Sequence, residues 1–195
     1  MKRLFDIISS LVVLTLFIPF FILIAFWIAL SSPGGVFYVQ ERVGKGKKHF
    51  RLYKFRTMRV NADKQGQLTI GTNDNRITAA GKFLRKFKLD EFPQLINVLK
   101  GDMSIVGPRP EVPEYVAMYN SEQLKVLDVL PGLTDYASIE YINENEILGK
   151  AENPEQAYIS QVMPAKLGLN LKYIREKSFK TDLSIIFRTI LRIFR

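Results

Sequence analysis

Two adjacent carboxylates, Asp90 and Glu91, lie near the middle of a strongly basic chain, inside the segment "KLDEFPQLINVLKGDMSIVGPRP". Neighbouring side chains on a helix point about 100° apart, so the two cannot face each other as the carboxylates of a glycosidase do. Their chemistry would therefore be divided, with one attacking phosphorus or binding a metal while the other handles a proton. A structural alternative is also open, in which Asp90 is a helix N-cap and Glu91 favours the helix dipole.

Basic residues in the sequence around the pair favour the chemical interpretation. A carboxylate that approaches a diphosphate meets strong repulsion, which basic side chains and Mg²⁺ relieve. A helix N-terminus also offers backbone N–H groups to an anion. The candidate phosphate clamps are Lys54, Arg56, Arg85, Lys88 and Arg109. We therefore predict a site at which a carboxylate attacks a phosphorylated substrate.

The composition limits both the metals and the partners. The chain has 195 residues, enough for one domain with its own core, and a formal net charge of +9. Such a charge predicts a polyanionic partner: a nucleic acid, a phosphorylated small molecule or an anionic membrane surface. The absence of cysteine and the single histidine, His49, exclude thiolate and histidine-rich zinc sites. A metal would be held by carboxylates and phosphate oxygens, which are the ligands that suit Mg²⁺.

Apolar spacing predicts a short helix directly after the carboxylate pair. The residues that recur at helical intervals are Phe92, Leu95, Ile96 and Leu99. Pro93 fits only the first turn of such a helix, and Gly101 is well suited to end it. The carboxylates would then stand at or just before the helix N-terminus. The next segment, residues 101–115, contains three prolines and is predicted to be a rigid loop that carries Arg109.

Other elements are predicted from the same kind of pattern. Residues 36–43 and 50–58 form two strands of a hairpin, and the turn between them lacks the spacing of a phosphate-binding P-loop. The polar residues 61–80 indicate a loop beside the site, which a basic helical segment follows. Helical patterns then cover residues 114–130 and, after a Pro-Gly turn, residues 153 onward, with an interruption at Pro164.

An uncharged apolar run covers residues 11–30, which is about the length that crosses a bilayer. Pro19 lies near its middle, where it removes a helix hydrogen bond and favours a bend. Basic residues flank the run on both sides, and such residues collect on the cytoplasmic face. The run predicts either a re-entrant helix that bends at Pro19 or a single kinked span. Its length disfavours a cleaved signal peptide, and the basic load downstream places the folded part in the cytoplasm.

The C-terminal segment is predicted to form a basic amphipathic helix. Its apolar side carries Leu183, Ile186, Phe187, Ile190 and Phe194. Its polar side carries Lys180, Ser184, Arg188 and Arg192. Such a helix is typical of membrane-surface binding, and the alternative is a terminal helix that packs on the domain.

The segments "YKFRTM", "LRKFKLDEFPQLINVLKGDMSIVGPRP" and "PGLTD" resemble, in this order, the bacterial sugar transferase family of small monotopic phosphoglycosyl transferases. The resemblance extends from the N-terminal apolar run to the C-terminal helix. It implies an enzyme that moves a sugar 1-phosphate from a UDP-sugar to undecaprenyl phosphate and releases UMP. The family suggests an N-acetylated amino sugar as the donor's sugar. Such an enzyme begins glycoconjugate and polysaccharide assembly at the bacterial inner membrane.

The resemblance also implies roles for individual residues. Asp90 matches the nucleophile, which carries the phospho-sugar covalently, and the ligand of the required Mg²⁺. Glu91 matches its partner, a base for the polyprenyl phosphate. Arg109 matches a nucleotide or phosphate contact, and Lys54 and Arg85 match basic positions near the diphosphate.

The expected fold is α+β and mostly helical. Residues 1–32 would form a re-entrant membrane helix broken at Pro19, and residues 33–178 a compact cytoplasmic catalytic domain with a small β-hairpin. Residues 179–195 would form an amphipathic interfacial helix of the same domain. Inner-membrane lipids are expected partners and nucleic acid is not. The oligomeric state and the glycan pathway stay open.

The chain departs from the family pattern at three places. Ile18 precedes Pro19 where a serine is frequent, and Asn170 stands where an aspartate is frequent. Residues 135–138 are Asp-Tyr-Ala-Ser where Gly-Trp-Ala-Gln is frequent. The angle of the bend and the transferred sugar therefore stay open. Two alternatives from other classes also remain, a basic membrane-anchored nucleic-acid-binding protein and a non-catalytic assembly protein.

Overall fold

The computed structural model describes residues 1–62, 66, 68–71 and 74–194. The N-terminal apolar run forms two helices, α1 (Lys2–Leu16) and α2 (Ile18–Ser31), which meet at an angle of 64°. Pro19 lies in the first turn of α2, where its missing N–H costs no helix bond. Within the described residues, no single helix is long and apolar enough to cross a membrane, but the bent pair together reaches that length and hydropathy.

Both ends of the bent pair contact the same globular body. At the start of α1, Lys2 Nζ lies 2.6 Å from a carboxylate oxygen of Asp182, and Arg3 donates to the carbonyl of Val98 at 2.7 Å. The second half of α2 packs into a small apolar cluster, whose buried members are Ile24, Ile28, Phe55 and Leu84. The chain therefore leaves the body through α1 and returns to it through α2.

The predicted hairpin is confirmed. Strand β1 (Phe37–Val43) pairs antiparallel with β2 (His49–Phe55), with Phe37 opposite Phe55 and Val43 opposite His49. A 3₁₀ turn (Lys45–Lys47) joins them, and Gly46 supplies the positive φ of 65° that this turn requires. Of the predicted polar loop, residues 63–65, 67, 72 and 73 lie outside the described residues. Helix α3 (Ala79–Lys86) begins within the last two residues of that segment, and the side chain of Thr78 caps it.

The short helix after the carboxylates is also confirmed. A 3₁₀ turn (Leu89–Glu91) precedes α4 (Gln94–Lys100), which ends at Gly101 with a φ of 93°. Both carboxylates belong to the 3₁₀ turn, and Pro93 occupies the N-cap position of α4 without a side-chain cap bond. The interpretation of Asp90 as a helix N-cap is therefore wrong.

The segment predicted as a rigid loop contains a strand that the sequence analysis missed. Strand β3 (Ser104–Val106) pairs in parallel with β4 (Gly132–Thr134). The two chains approach so closely that a Cβ on Gly132 would lie 2.1 Å from the backbone nitrogen of Gly107. Strands of three residues are too short to show an alternating pattern, which explains why the second sheet was not predicted.

The single helix predicted over residues 114–130 is also wrong. The chain forms α5 (Pro113–Val116) and then a separate 3₁₀ helix (Gln123–Asp128). Between them, the backbone nitrogen of Asn120 donates to Gln123 Oε1 and the backbone nitrogen of Gln123 donates to Asn120 Oδ1, both at 2.9 Å. This reciprocal cap starts a new turn and ends the first helix early.

The C-terminal part is helical, as predicted from residue 153 onward, and two further helices that were not predicted, α6 (Tyr136–Glu140) and α7 (Glu144–Gly149), precede it. Its other elements are α8 (Pro154–Ala157), a π turn (Tyr158–Val162), α9 (Met163–Glu176) and α10 (Phe179–Ile193). Pro164 lies in the first turn of α9. Helix α10 buries Ile185 completely but leaves Phe187 63% exposed. It thus packs on the domain and still presents an apolar face to its surroundings.

Candidate active site

The two carboxylates occupy different environments although they are adjacent. Lys88, with a left-handed φ of 55°, turns the chain sharply between α3 and the 3₁₀ turn that carries them. Asp90 is only 6% exposed, and its Oδ1 atom has no hydrogen-bond partner. A buried carboxylate oxygen without a partner is costly, which points to a ligand that completes it.

Glu91, in contrast, is fully engaged by cations. Arg109 donates from Nη1 to Oε2 at 3.0 Å and from Nη2 to Oε1 at 2.5 Å, which is a two-point ion pair. Lys54 Nζ lies 3.6 Å from the same Oε1 atom. The backbone nitrogen of Arg109 donates to Asp135 at 3.2 Å, which fixes the proline-rich loop next to the carboxylates.

These contacts separate the acidities of the two carboxyl groups. Burial, and then repulsion from Glu91, raises the pKa of Asp90 above its ordinary value. Burial also opposes the charge on Glu91, but the ion pairs with Arg109 and Lys54 outweigh it and hold the pKa of Glu91 well below its usual range. Burial lowers the pKa of Lys54 to about 8. The site thus combines one stable carboxylate with one whose charge depends on its partners.

Arg85 lies near Asp90 in the same cavity. Its Nε donates to Thr57 Oγ1 at 2.9 Å, and its Nη1 donates to Thr69 Oγ1 at 3.0 Å. Thr69 belongs to the polar segment 61–80, and the charge of Arg85 acts on the pKa of Asp90, which it lowers. Lys88 also lies close enough to lower the pKa of both carboxyl groups.

Arg56 is engaged differently from the other predicted clamps. Its Nη1 donates to the carbonyl of Pro33 and its Nη2 to the carbonyl of Ser32, both at 2.7 Å. A Cβ on Gly34 would lie only 2.0 Å from this guanidinium, so the turn after α2 is built around it. Arg56 lines the cavity, yet two of its nitrogens serve the backbone, and its role as a phosphate clamp stays a prediction.

A cavity of about 480 Å³ opens beside Asp90. Its size falls in the range of small-molecule sites, about 300–1,000 Å³. Its basic lining includes Lys54, Arg85 and Arg109 next to Asp90, and tyrosines and amides also line it. The aromatic and amide residues that line it are Tyr38, Gln40, Phe55, Asn61, Tyr115, Tyr119, Asn145, Tyr158 and Asn170. A ligand that combines an anionic group with a polar ring system would suit this lining.

Ion pairs along this cavity were missed by the sequence analysis. Glu111 accepts from Arg42 at 2.8 Å and from the Tyr158 hydroxyl at 2.5 Å, and Lys166 donates to Glu144 at 2.6 Å. These partners come from distant parts of the chain. The only signal in the sequence was the position of Glu111 in the proline-rich loop, two residues after Arg109.

The residues present fit a magnesium ion held together with a phosphorylated substrate. In the described part of the chain, no cluster of three histidine or acidic side chains could hold a metal alone. The unpartnered Oδ1 of Asp90 is one hard oxygen ligand. Mg²⁺ is commonly bound by one or two carboxylates, with phosphate oxygens and water completing its octahedron.

The whole chain, residues 1–195, matches the family model described as bacterial sugar transferase. The chain therefore belongs to that family, and the resemblance seen in the sequence is confirmed. It is 37% identical, over 192 residues, to a UDP-N-acetylgalactosamine-undecaprenyl-phosphate N-acetylgalactosaminephosphotransferase of Aeromonas hydrophila. This alignment covers 97% of the present chain and 42% of the Aeromonas protein.

Other relatives carry related names. A putative undecaprenyl-phosphate N-acetylgalactosaminyl 1-phosphate transferase of Bacillus subtilis is 44% identical over 133 residues, covering 68% of this chain and 70% of that protein. A UDP-glucose:undecaprenyl-phosphate glucose-1-phosphate transferase of Escherichia coli is 37% identical over 202 residues. That alignment covers 100% of this chain and 40% of the Escherichia protein. The chain thus spans less than half the length of two of these three relatives.

Proposed function

We propose that this protein is a phosphoglycosyl transferase that moves a sugar 1-phosphate from a UDP-sugar to undecaprenyl phosphate and releases UMP. The observation that carries the proposal is the unpartnered carboxylate oxygen of Asp90, which faces a cavity between Lys54, Arg85 and Arg109. Membership of the bacterial sugar transferase family and the substrate names of the relatives support the same reaction.

In the first half-reaction, a carboxylate oxygen of Asp90 attacks the phosphorus that carries the sugar. A bond forms between that oxygen and phosphorus, while the bond between phosphorus and the bridging oxygen of UMP breaks. The electron pair leaves with UMP, and the sugar phosphate remains on Asp90 as an acyl phosphate. Lys54, Arg85 and Arg109 reduce the repulsion between the carboxylate and the diphosphate.

In the second half-reaction, a phosphate oxygen of undecaprenyl phosphate attacks the same phosphorus. The bond to Asp90 breaks, its carboxylate is restored, and the product is an undecaprenyl diphosphate sugar. A phosphate monoester has a second pKa of about 6 and is mostly a dianion at neutral pH, so this attack requires little base catalysis. The base role implied for Glu91 stays a prediction, and its ion pair gives it a further task, the orientation of Arg109.

Mg²⁺ is part of the proposal. Asp90 would hold it together with oxygens of the donor diphosphate, since its Oδ1 atom is buried and has no other partner. When bound, the ion supplies positive charge that stabilises the leaving UMP. Glu91 is engaged by Arg109 and Lys54 and is therefore the poorer ligand.

We further propose that α1 and α2 form a re-entrant membrane helix, with the domain at the cytoplasmic face of the bacterial inner membrane. The contacts of Lys2 and Arg3 with the body place the N-terminus beside the domain. The exposed apolar residues of α2, of α10 and of the position just after it supply a surface for lipid; they include Ile22, Leu23, Phe26, Leu183, Phe187 and Phe194. The excess of basic residues favours the cytoplasmic side.

The donor sugar is proposed to be an N-acetylated amino sugar. Two of the relatives above are named for N-acetylgalactosamine, and a third is named for glucose. Asn145 and Asn170 line the cavity, and the Oδ1 atom of Asn170 is buried without a partner. Such an amide oxygen can accept a hydrogen bond from an N–H or O–H group of a sugar.

The test of this function is UMP release from a panel of UDP-sugars by the full-length protein in nanodiscs, with undecaprenyl phosphate, Mg²⁺ and, in parallel, EDTA. We expect metal-dependent release with one donor, which would also identify the sugar. No release from any donor would contradict the proposal. Strong salt-dependent binding of duplex DNA without UMP release would favour the nucleic-acid-binding alternative instead.

A further inference from the structure

A second cavity, of about 510 Å³, lies on the other side of the carboxylate pair. Of the two carboxylates, Asp90 lines the first cavity and Glu91 lines the second. The residues that line both cavities are Arg109, Glu144, Asn145 and Lys166. The adjacent acidic residues therefore line two neighbouring cavities, which have these four polar residues as a common wall.

That shared wall is held together by ion pairs. Lys166 Nζ lies 2.6 Å from Glu144 Oε2, and these side chains are 15% and 23% exposed. Arg109 forms the two-point pair with Glu91 described above. Lys88 adds a further cation at the rim of the second cavity. This end of the second cavity can therefore accept an anionic group.

The remainder of the second cavity is mostly apolar, apart from hydroxyl groups such as those of Ser9 and Thr189, and is bounded by two helices with exposed apolar faces. From α1 it is lined by Phe5 and Val13, and from α10 by Ile186, Ile190 and Ile193. Exposed apolar residues on the outer sides of the same helices include Leu4, Ile8 and Val12 of α1 and Phe187 of α10. An elongated apolar ligand could thus lie in the cavity and continue into the surrounding lipid.

We propose that this second cavity binds the acceptor, a long-chain isoprenoid phosphate, separately from the nucleotide donor in the first cavity. The inference rests on the proposed function and assigns the acceptor's place within it. The anionic head of such a ligand matches the cations near Glu91. Its hydrocarbon tail matches the apolar walls that α1 and α10 supply. A membrane phospholipid shares part of this chemistry, and the test distinguishes it from the acceptor.

The arrangement determines how the second half-reaction proceeds. A phosphate oxygen of the acceptor arrives from the Glu91 side and forms a bond to the phosphorus held on Asp90. The bond between that phosphorus and the Asp90 oxygen breaks, and the carboxylate retains the electron pair. At neutral pH the attacking oxygen is already deprotonated, so no proton acceptor is required. UMP has left through the first cavity, and the acceptor does not need to displace it from a shared site.

Two adjacent residues of α10 provide a matched test. Ile190 is 51% exposed and lines the second cavity, whereas Leu191 is 54% exposed and is not among the residues that line it. Ile190→Trp would fill part of the cavity, and Leu191→Trp would place the same bulk elsewhere on the same helix. Any general effect of tryptophan on folding or lipid contact should be shared by both variants.

The measurements use the full chain in nanodiscs of defined phospholipid, with the donor that the panel of UDP-sugars identifies. UMP released in a single turnover without acceptor reports the first half-reaction, and the KM for undecaprenyl phosphate reports the second. We expect Ile190→Trp to raise the acceptor KM about tenfold, the loss expected when about two methylene groups no longer fit. Its UMP burst and donor KM should match those of Leu191→Trp and the unaltered protein.

Equal acceptor KM values for the two variants would overturn the assignment of the second cavity. The assignment would also be overturned if diluting the phospholipid with detergent returned the acceptor KM of Ile190→Trp to that of the unaltered protein. The cavity would then hold phospholipid rather than the acceptor. An unaltered protein that gave no UMP burst would instead overturn the proposed function, and the inference with it. An absent UMP burst therefore contradicts the proposed function, whereas an unchanged acceptor KM contradicts only the assignment of the second cavity.

Discussion

Arg109 and Glu91 form a two-point ion pair, with Arg109 Nη1 3.0 Å from one carboxylate oxygen and Nη2 2.5 Å from the other. The pair joins the loop after β3 to the turn before α4, which are otherwise separate parts of the chain. It also keeps Glu91 charged beside Asp90. The geometry of the candidate nucleophile therefore depends on a contact made by its neighbour.

Loss of this pair should destabilise the protein. Arg109→Met removes the two-point partner of the largely buried Glu91. The cations that remain near this carboxylate are Lys54, at 3.6 Å, and Lys88. Breaking a buried pair typically costs about 3–5 kcal/mol. Removing both charges, as in Arg109→Met with Glu91→Gln, should recover much of that loss. Chemical denaturation of the purified variants in detergent would measure it. If Arg109→Met were no less stable than the double variant, the ion pair would not contribute to the free energy of unfolding.

The pH dependence of activity should reflect Lys54. Its pKa of about 8 means that raising the pH through 8 removes its charge and weakens its hold on the diphosphate. We therefore expect kcat/KM for the donor to fall above about pH 8. On the acid side, the raised pKa of Asp90 should move the loss of activity above the ordinary 3.8 of an aspartate, because protonation removes the nucleophile.

A matched pair of variants tests the alkaline limb. Lys54→Arg keeps its charge at all accessible pH values and should move the fall in kcat/KM to higher pH. Lys45→Arg, in the exposed turn of the hairpin, should leave the profile unchanged. Identical alkaline limbs in Lys54→Arg and the unaltered protein would assign the fall to another group.

Arg56 and Arg85 should respond differently to substitution. Arg56→Gln removes charged donors from the carbonyls of Ser32 and Pro33 just after α2, and a hydrogen bond to a charged group is typically worth about 1.5–3 kcal/mol. It should lower the melting temperature more than it changes the donor KM. Arg85→Gln should raise the donor KM. A donor KM raised equally by both, with no loss of stability in Arg56→Gln, would favour a phosphate clamp at Arg56.

The membrane topology can be tested directly, because the chain has no cysteine. One cysteine in a short extension before Met1 and one at the exposed Ser121 would each be treated with an impermeant maleimide in intact spheroplasts. A re-entrant helix predicts that both are protected until the membrane is opened. Labelling of the N-terminal cysteine alone, from outside, would show a single-pass helix.

Local patterns in the sequence predicted the hairpin, the bend in the apolar run and the short helix after the carboxylates. These features depend on turn residues and on spacing within a few positions, which one sequence displays. The β3–β4 pair was missed because its short strands meet only through the close approach of Gly107 and Gly132. The helix over residues 114–130 was wrong because a side-chain cap between Asn120 and Gln123 overrides the apolar pattern.

The site was predicted only in part, because local sequence patterns show some of its residues and not the contacts between distant ones. Asp90, Glu91 and Arg109 were the residues from which the sequence predicted phosphate chemistry, and the structure brings all three together. The wall that divides the two cavities depends on Lys166 and Glu144, whose contact spans 22 positions. A single sequence does not display such a pairing, because it follows from how α7 and α9 pack.

The most direct test of the central claim is the mass of the protein after exposure to donor and Mg²⁺ without acceptor. The account predicts a gain equal to one sugar phosphate, located by peptide mapping on Asp90. Asp90→Asn should show no adduct and no UMP release, while Asp128→Asn, at an exposed position, should behave as the unaltered protein. An adduct on another residue, or full turnover by Asp90→Asn, would contradict the account.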